Sequence, residues 1–542
     1  MNPSQSEFDV VVVGAGFSGM YLLHKLRQLG LSARVLEAGN DVGGTWYWNR
    51  YPGARCDVPS MEYSFSFSPE LQQEWQWTEV MAAQPEILDY ANHIAERFDL
   101  RSDIEFSTRV ESAHFNDTNQ RWQIETDTGR RYEARFCVMA TGCLSVPNTP
   151  KIEGAQQFAG DVFHTGNWPA EGVDFSKRRV GIIGTGSSAI QAIPVIAEQA
   201  QHLTVFQRTP NYTMPAHNKP LSNEFRQQAI DNYDEIRQQQ RESMTGIVGY
   251  GFGFGGADNV EPTEAILQTT EAQRAALVEE EGFVAIRRFA DVALDPEANE
   301  LACDMYRQQI KRVVKNPQTA EGLMPRDYPM GCKRPVIDTN YYETFNRDNV
   351  TLVDLRRGGI ETITATGVQT AQGHFEFDTL VYATGFDAMT GALQKIDIRG
   401  RDGEQLRDHW EAGPRTYLGL QVNGFPNLFT ITGPGSPSVL SNMLVSIEQH
   451  VDWICDCMKH MQDRQLQCIE PTLAAEEAWV AHVNEVAEGT MFTAPSCNSW
   501  YLGANIPGKP RIFMPYVGGV GAYRQKCDEV VANDYEGFVL SA

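Results

Sequence analysis

The sequence predicts an α/β protein of two doubly wound units, the second interrupted by a helical insertion, and three observations carry that prediction. The first is a β-branched run that ends in a glycine turn and a helix-like stretch, FDVVVVGAGFSGMYLLHKLRQLG, at residues 8–30. The second is a repeat of the same plan, RRVGIIGTGSSAIQAIPVIAEQA, at residues 178–200. The third is a polar stretch of helical period over residues 211–327, which breaks the alternation. Strand, tight turn and helix in repeated succession build a parallel sheet covered by helices.

At 542 residues the chain exceeds what one core supports, so two or three domains are expected. Its 42% apolar and 21% charged content is that of a soluble globular protein. A net charge of -25 repels nucleic acid and anionic membranes, so neither is expected as a partner. An anionic ligand must therefore meet locally placed Arg or Lys. The start, MNPSQSEFDV, lacks a charged segment followed by an apolar one, and no later run approaches the roughly 18 apolar residues of a spanning helix. The expectation is a cytoplasmic monomer or small homo-oligomer. Ten scattered cysteines suggest neither a metal site nor a disulfide framework. Cys455 and Cys457 form a C-x-C inside the helix-like Ser446–Met461, with no second ligand pair nearby, and no metal is expected.

In the first unit Gly14, Gly16 and Gly19 form G-x-G-x-x-G, and the next strand, SARVLEAG, ends at Glu37. The glycines let a pyrophosphate approach, the helix N-terminus favours its charge, and Glu37 can accept from ribose hydroxyls, so an adenine dinucleotide is expected here. The segment GGTWYWNRYPGARCD follows, with a glycine turn, the aromatic trio Trp46, Tyr47 and Trp48, and Asp57. By itself the trio is either ligand-facing or core. The first block closes at Ala140-Thr141-Gly142.

The second finger reads Gly184-x-Gly186-x-x-Ala189, and alanine still allows close helix packing. The offset that leads from Gly14 to Glu37 leads from Gly184 to Gln207, with Arg208 and Thr209 next. Removing the acid and adding a cation is the change a 2'-phosphate requires, so this finger should prefer NADPH to NADH. Gly184, Thr185, Gly186, Ser187, Ser188, Gln191, Arg208 and Thr209 form the candidate NADP set. The insertion holds three helix-like stretches and a glycine-aromatic loop at 246–256, either a surface loop or a substrate entrance. The expected division is 1–142 and 381–542 for one unit, 143–210 and 328–380 for the other, and 211–327 for the insertion. Just after the insertion stands MGCKRPVIDTNYYETFNRDNV, whose Lys333-Arg334 pair is either surface charge or a site.

Between the fingers lies FAGDVFHTGNWP, in which Phe158, Gly160, His164, Trp168 and Pro169 fit F-x-G-x-x-x-H-x-x-x-W-P. This pattern resembles the signature of the flavin-dependent Baeyer-Villiger monooxygenases. The segment from Gly43 to Asp57 is similar to a second fingerprint of that family, G-G-x-W-x4-Y-P-G-x3-D. The G-x-K-R and Y-Y-E-x-x-N-R-D-N-V strings resemble it again, and the likeness runs from residue 8 to about 540, weakest over the insertion. It implies FAD held by Gly14, Gly16, Ser18, Gly19, Glu37, Thr45, Trp46, Asp57, Tyr63, Val110 and Met443, with NADPH on the second finger. Arg334 would be the active-site arginine held by Asp57, Lys333 would join Arg208 on the 2'-phosphate, and Trp500 would belong to a mobile loop over NADP. The implied reaction takes a small ketone and O2 to an ester or lactone through a flavin C4a-peroxide. A permanently protonated guanidinium suits the charge that builds up there. Read without the family, Ser441 to Met443 could be ordinary helix-start residues, and Trp500 ordinary packing. Two other functions share much of this apparatus: a flavin monooxygenase for N or S oxidation, and a peroxide-releasing NADPH oxidase or redox-sensing flavoprotein.

Overall fold

The computed structural model describes residues 6–249 and 262–542, so positions 250–256 of the glycine-aromatic loop lie outside the described residues. Strand β1 (Ser6–Val13) forms because its four consecutive valines are buried on both faces. Val10 and Val12 face one core and Val11 and Val13 another, as expected of a central parallel strand. The glycine turn leads into α1 (Phe17–Gln28) and then β2 (Ala33–Leu36), which pairs parallel with β1. On its other side β1 pairs parallel with Arg131–Met139, the last strand of an antiparallel meander that begins at Val110–Asn116. Two short strands from late in the chain complete this sheet: Asp397–Arg399 beside the meander and Leu428–Thr430 against Arg131–Met139.

The second finger repeats the plan as β3 (Arg179–Ile183), α2 (Ser187–Gln199) and β4 (His202–Gln207). Its five-stranded sheet is wholly parallel, in the order Val350–Asp354, β4, β3, Thr379–Tyr382 and Asp161–His164. The outermost of these strands is part of the FAGDVFHTGNWP stretch. Trp168 then turns inward against Phe163 and Phe175, at ring distances of 5.5 and 6.2 Å.

The stretch 211–327 divides its packing between the two sheets. Helices α3 (Asn223–Asp231) and α4 (Tyr233–Glu242) bury Ala229, Tyr233 and Ile236 in the core of the first sheet. Helix α5 (Pro296–Val313), capped by Asp295 with proline at its first turn, buries Ala298, Ala302, Met305, Tyr306 and Ile310 in the core of the second. Arg237 on α4 is buried and donates to the side chains of Gln72, Gln240 and Ser64 and to the carbonyls of Met61 and Glu62. The chain then returns to the first sheet through α6 (Met443–Asp463), whose Cys455 and Cys457 are buried. Among the described residues no helix is long and apolar enough to cross a membrane.

One expectation is overturned. Cys332 and Cys497 form a disulfide, with Cα atoms 6.0 Å apart, across a sequence separation of 165. Spacing along the chain carries no information about a pairing that tertiary packing creates across two segments so distant.

Candidate active site

The two glycine turns are geometric copies. Gly14 N–H donates to Leu36 O at 2.9 Å and Gly184 N–H to Phe206 O at 3.0 Å, so Glu37 and Gln207 occupy equivalent positions. Gly14 has φ +106°, and a Cβ there would lie 2.6 Å from Ala140 O; at Gly184, with φ +114°, it would strike Ala383 O. Both carbonyls belong to the Ala-Thr-Gly exits, which pass directly beneath the turns.

In the first finger Glu37 is buried and accepts from Ala15 N at 2.7 Å and Gly39 N at 2.6 Å. Burial pushes its carboxyl up, against the pull of these backbone donors. Each carboxylate oxygen retains a further lone pair for a ribose hydroxyl. Ser18 lies under the turn with its hydroxyl 3.4 Å from Ala140 O, and Thr45 is exposed at the start of the short helix Thr45–Trp48. Trp46 Nε1 donates to Tyr63 OH at 3.1 Å, so two members of the expected FAD set support each other. Val110 begins its strand two residues beyond Thr108, whose amide donates to Glu37 O at 2.8 Å. Gly44 packs against Gly16, where a Cβ would come within 2.8 Å of the opposing Cα. The cradle is thus open backbone, as a pyrophosphate needs, and its residues fit FAD.

In the second finger a Cβ on Gly186 would meet open space, and Ser187 is exposed beside it at the start of α2. Thr185 Oγ1 donates to Thr209 O at 3.0 Å, tying the turn to the strand end. Gln207 is turned inward, donating to Gly322 O at 2.7 Å, and leaves the exposed Arg208 as the charge at this edge. Lys333 lies 4.3 Å over the Tyr328 ring. Its pKa is pushed down to about 8, chiefly by burial and then by the Arg208 charge. Two cations brought together in so acidic a protein make a site for a multiply charged anion, so these residues fit NADP.

Three of the contacts between the halves bear on the site. Arg334 Nε donates to Asp57 Oδ2 at 2.8 Å, and its Nη1 to Val439 O at 3.1 Å. Burial alone would lower the Arg334 pKa, but Asp57, Tyr501 and Cys56 outweigh it and the net shift is upward. Gln191 accepts from Tyr51 OH at 2.8 Å and donates to Arg55 O at 3.1 Å, locking the Tyr-Pro-Gly turn onto α2. Gln191 therefore spends its side chain on this interface. The third place is the crossing of the two linkers at His164, whose Nε2 is 3.3 Å from Thr384 Oγ1 and 3.4 Å from Asn148 O. Its Nδ1 accepts from Gly166 N at 2.9 Å, and burial lowers its pKa, so the ring is neutral there.

Met443 packs between both cores, while its neighbour Asn442 caps α6, accepting from Leu444 N at 3.1 Å. Trp500 is half-buried and packs on Tyr501 at 4.3 Å. Its segment is anchored by Asn505, which donates to Phe386 O at 2.8 Å, by the Lys509–Asp387 ion pair and by the disulfide to Cys332. None of these anchors, nor buried Tyr501 beside Arg334, carries a signal that spacing along the chain could reveal.

Residues 11–251, which hold both fingers, match the pyridine nucleotide-disulphide oxidoreductase family. A Baeyer-Villiger monooxygenase of Pseudooceanicola batsensis is 42% identical over 98% of this chain and 96% of its own. A phenazine N-monooxygenase of Lysobacter antibioticus is 40% identical over 99% of this chain and 97% of its own. The solved structure of an oxidized steroid monooxygenase bound to NADP is 49% identical, with a TM-score of 0.90, covering 99% of this chain and 100% of that one.

Proposed function

Since the chain belongs to the Baeyer-Villiger monooxygenase family, we propose that it inserts one oxygen atom of O2 beside the carbonyl of a ketone, giving an ester or lactone. It is an FAD- and NADPH-dependent monooxygenase. FAD supplies the activation of O2 and NADPH the hydride. The chain's own residues supply position and field. Glu37 and the first turn take the flavin nucleotide, and Arg208 with Lys333 takes the 2'-phosphate that distinguishes NADPH. Arg334 presents a charge that cannot be titrated away, stabilising the negative charge that develops on the ketone oxygen, and Asp57 fixes its direction.

The observation that carries this reading is the Arg334–Asp57 pair, which joins a side chain of each half at their interface. The test is NADPH consumption under air with and without phenylacetone or cyclohexanone, with ester measured alongside. Consumption that depends on ketone and matches ester supports the reading; equal consumption with peroxide and no ester supports an oxidase. Arg334→Ala should keep flavin reduction and lose ester formation by about 10²–10³, the scale of removing one preorganised charge-stabilising group. Undiminished ester would remove the role given to it. A second reading, N-oxygenation, is favoured by the 40% identical phenazine N-monooxygenase. Offering phenazine and ketone together, and identifying which is oxygenated, separates the two.

A further inference from the structure

Cys332 is the residue immediately before Lys333-Arg334, and Cys497 stands three positions before Trp500. Both are buried, yet Cys497 is flanked by exposed Ser496 and Asn498. The other eight cysteines are each buried and unpaired. The disulfide is therefore placed where it joins the segment bearing Arg334 to the segment that closes beside it. That second segment is already internally tied, with Arg511 donating to Cys497 O at 2.7 Å and Ala494 O at 3.1 Å, so it moves as a unit. It packs into the core of the second sheet through Tyr501, Leu502, Phe513 and Met514, and it bonds to the exit linker through Asn505 and Lys509.

We propose that Cys332 and Cys497 are a reversible oxidation site, a latch that fixes the Trp500 segment onto the Arg334 segment when crosslinked and frees it when reduced. The oxidant class is a hydroperoxide, with hydrogen peroxide the simplest. One thiolate attacks a peroxide oxygen, gaining OH as a sulfenic acid while the second oxygen leaves as hydroxide and is protonated to water. The other cysteine's sulfur then displaces that OH, forming the S–S bond, and its proton completes a second water. Each sulfur loses one electron and the peroxide gains two. A dithiol reductant reverses it by exchange. On the proposed function, the Trp500 segment must open for nucleotide and product to leave, so the crosslinked form should turn over more slowly.

The test is made on the wild-type holoenzyme, so no variant need fold. The protein is treated with hydrogen peroxide or with a dithiol, free thiols are alkylated after unfolding, and peptides are mapped without reduction. The expected result is a Cys332–Cys497 crosslinked peptide after peroxide and its loss after dithiol, with the other eight cysteines alkylated in both. Amide hydrogen exchange over residues 494–514 should be about tenfold faster in the dithiol form, as expected when a covalent constraint on local opening is released. Cys497→Ser should match the reduced wild type under both treatments. Failure of the crosslinked peptide to form overturns the site, and equal exchange in the two forms overturns the latch. Neither measurement needs a ketone, so both stand apart from the reading of the reaction.

Discussion

At the scale of single residues, the proposed nucleotide preference would rest on two cations of different standing. Arg208 is exposed, whereas Lys333 is held down to about 8 by burial and by Arg208 itself. Below that pH Lys333 is protonated and binds the 2'-phosphate; as pH rises through it, the nucleotide-free protein loses the charge and affinity falls. The KM for NADPH should accordingly be flat below about pH 8 and climb above it, while that for NADH stays level; Lys333→Arg should abolish the climb. Arg208→Ala should raise the KM for NADPH by roughly tenfold or more without a like effect on NADH, since a hydrogen bond to a charged group contributes about 1.5–3 kcal/mol. Equal changes for both nucleotides would remove the phosphate role from Arg208. Arg208 could be singled out in the sequence because its register with Glu37 is a local count from a glycine. Lys333 was visible as a charge, but its depressed pKa depends on burial and on a neighbour far off in the chain.

At the scale of elements, the fingers were legible because their requirements are local: a β-branched run, a turn that only glycine permits, and a helix. The stretch 211–327 was legible as helices but not as a bridge, since polar helices with modest apolar faces do not declare which core will receive them. Helix α4 shows what anchors its half. Its buried Arg237 donates to five neutral acceptors. Arg237→Met would take that donor from the buried side-chain oxygens of Gln72 and Gln240, while the Met61 and Glu62 carbonyls keep bonds from Ser64 and from Gln240 and Asn442. A stability loss of roughly 1–3 kcal/mol is expected. Denaturant titration would measure it, and a loss under about 1 kcal/mol would contradict the account of this network. The FAGDVFHTGNWP stretch stood out as a pattern, but its physical part as a sheet edge with a histidine clamping two linkers emerges only in three dimensions.

At the scale of the whole molecule, the decisive surface is the seam between the halves. Gly53 has φ +80°, and a Cβ there would strike Gln191 O on α2. Gly53→Ala should therefore leave FAD content and NADP affinity near normal while slowing reduction of the flavin by NADPH about tenfold or more, because displacing one reactant from the other is costly even when both stay bound. Rapid-mixing absorbance of the flavin would show it, and an unchanged rate would mean the seam tolerates the shift. The stretch whose helices divide between the two cores carries a practical corollary for anyone wishing to study the halves apart. A gene truncated on either side of that bridge would leave Tyr233 and Ile236, or their counterparts on α5, without a wall to lie against, and the fragment should clump. No single cut would excise one sheet, because each takes strands from both sides of the 211–327 stretch.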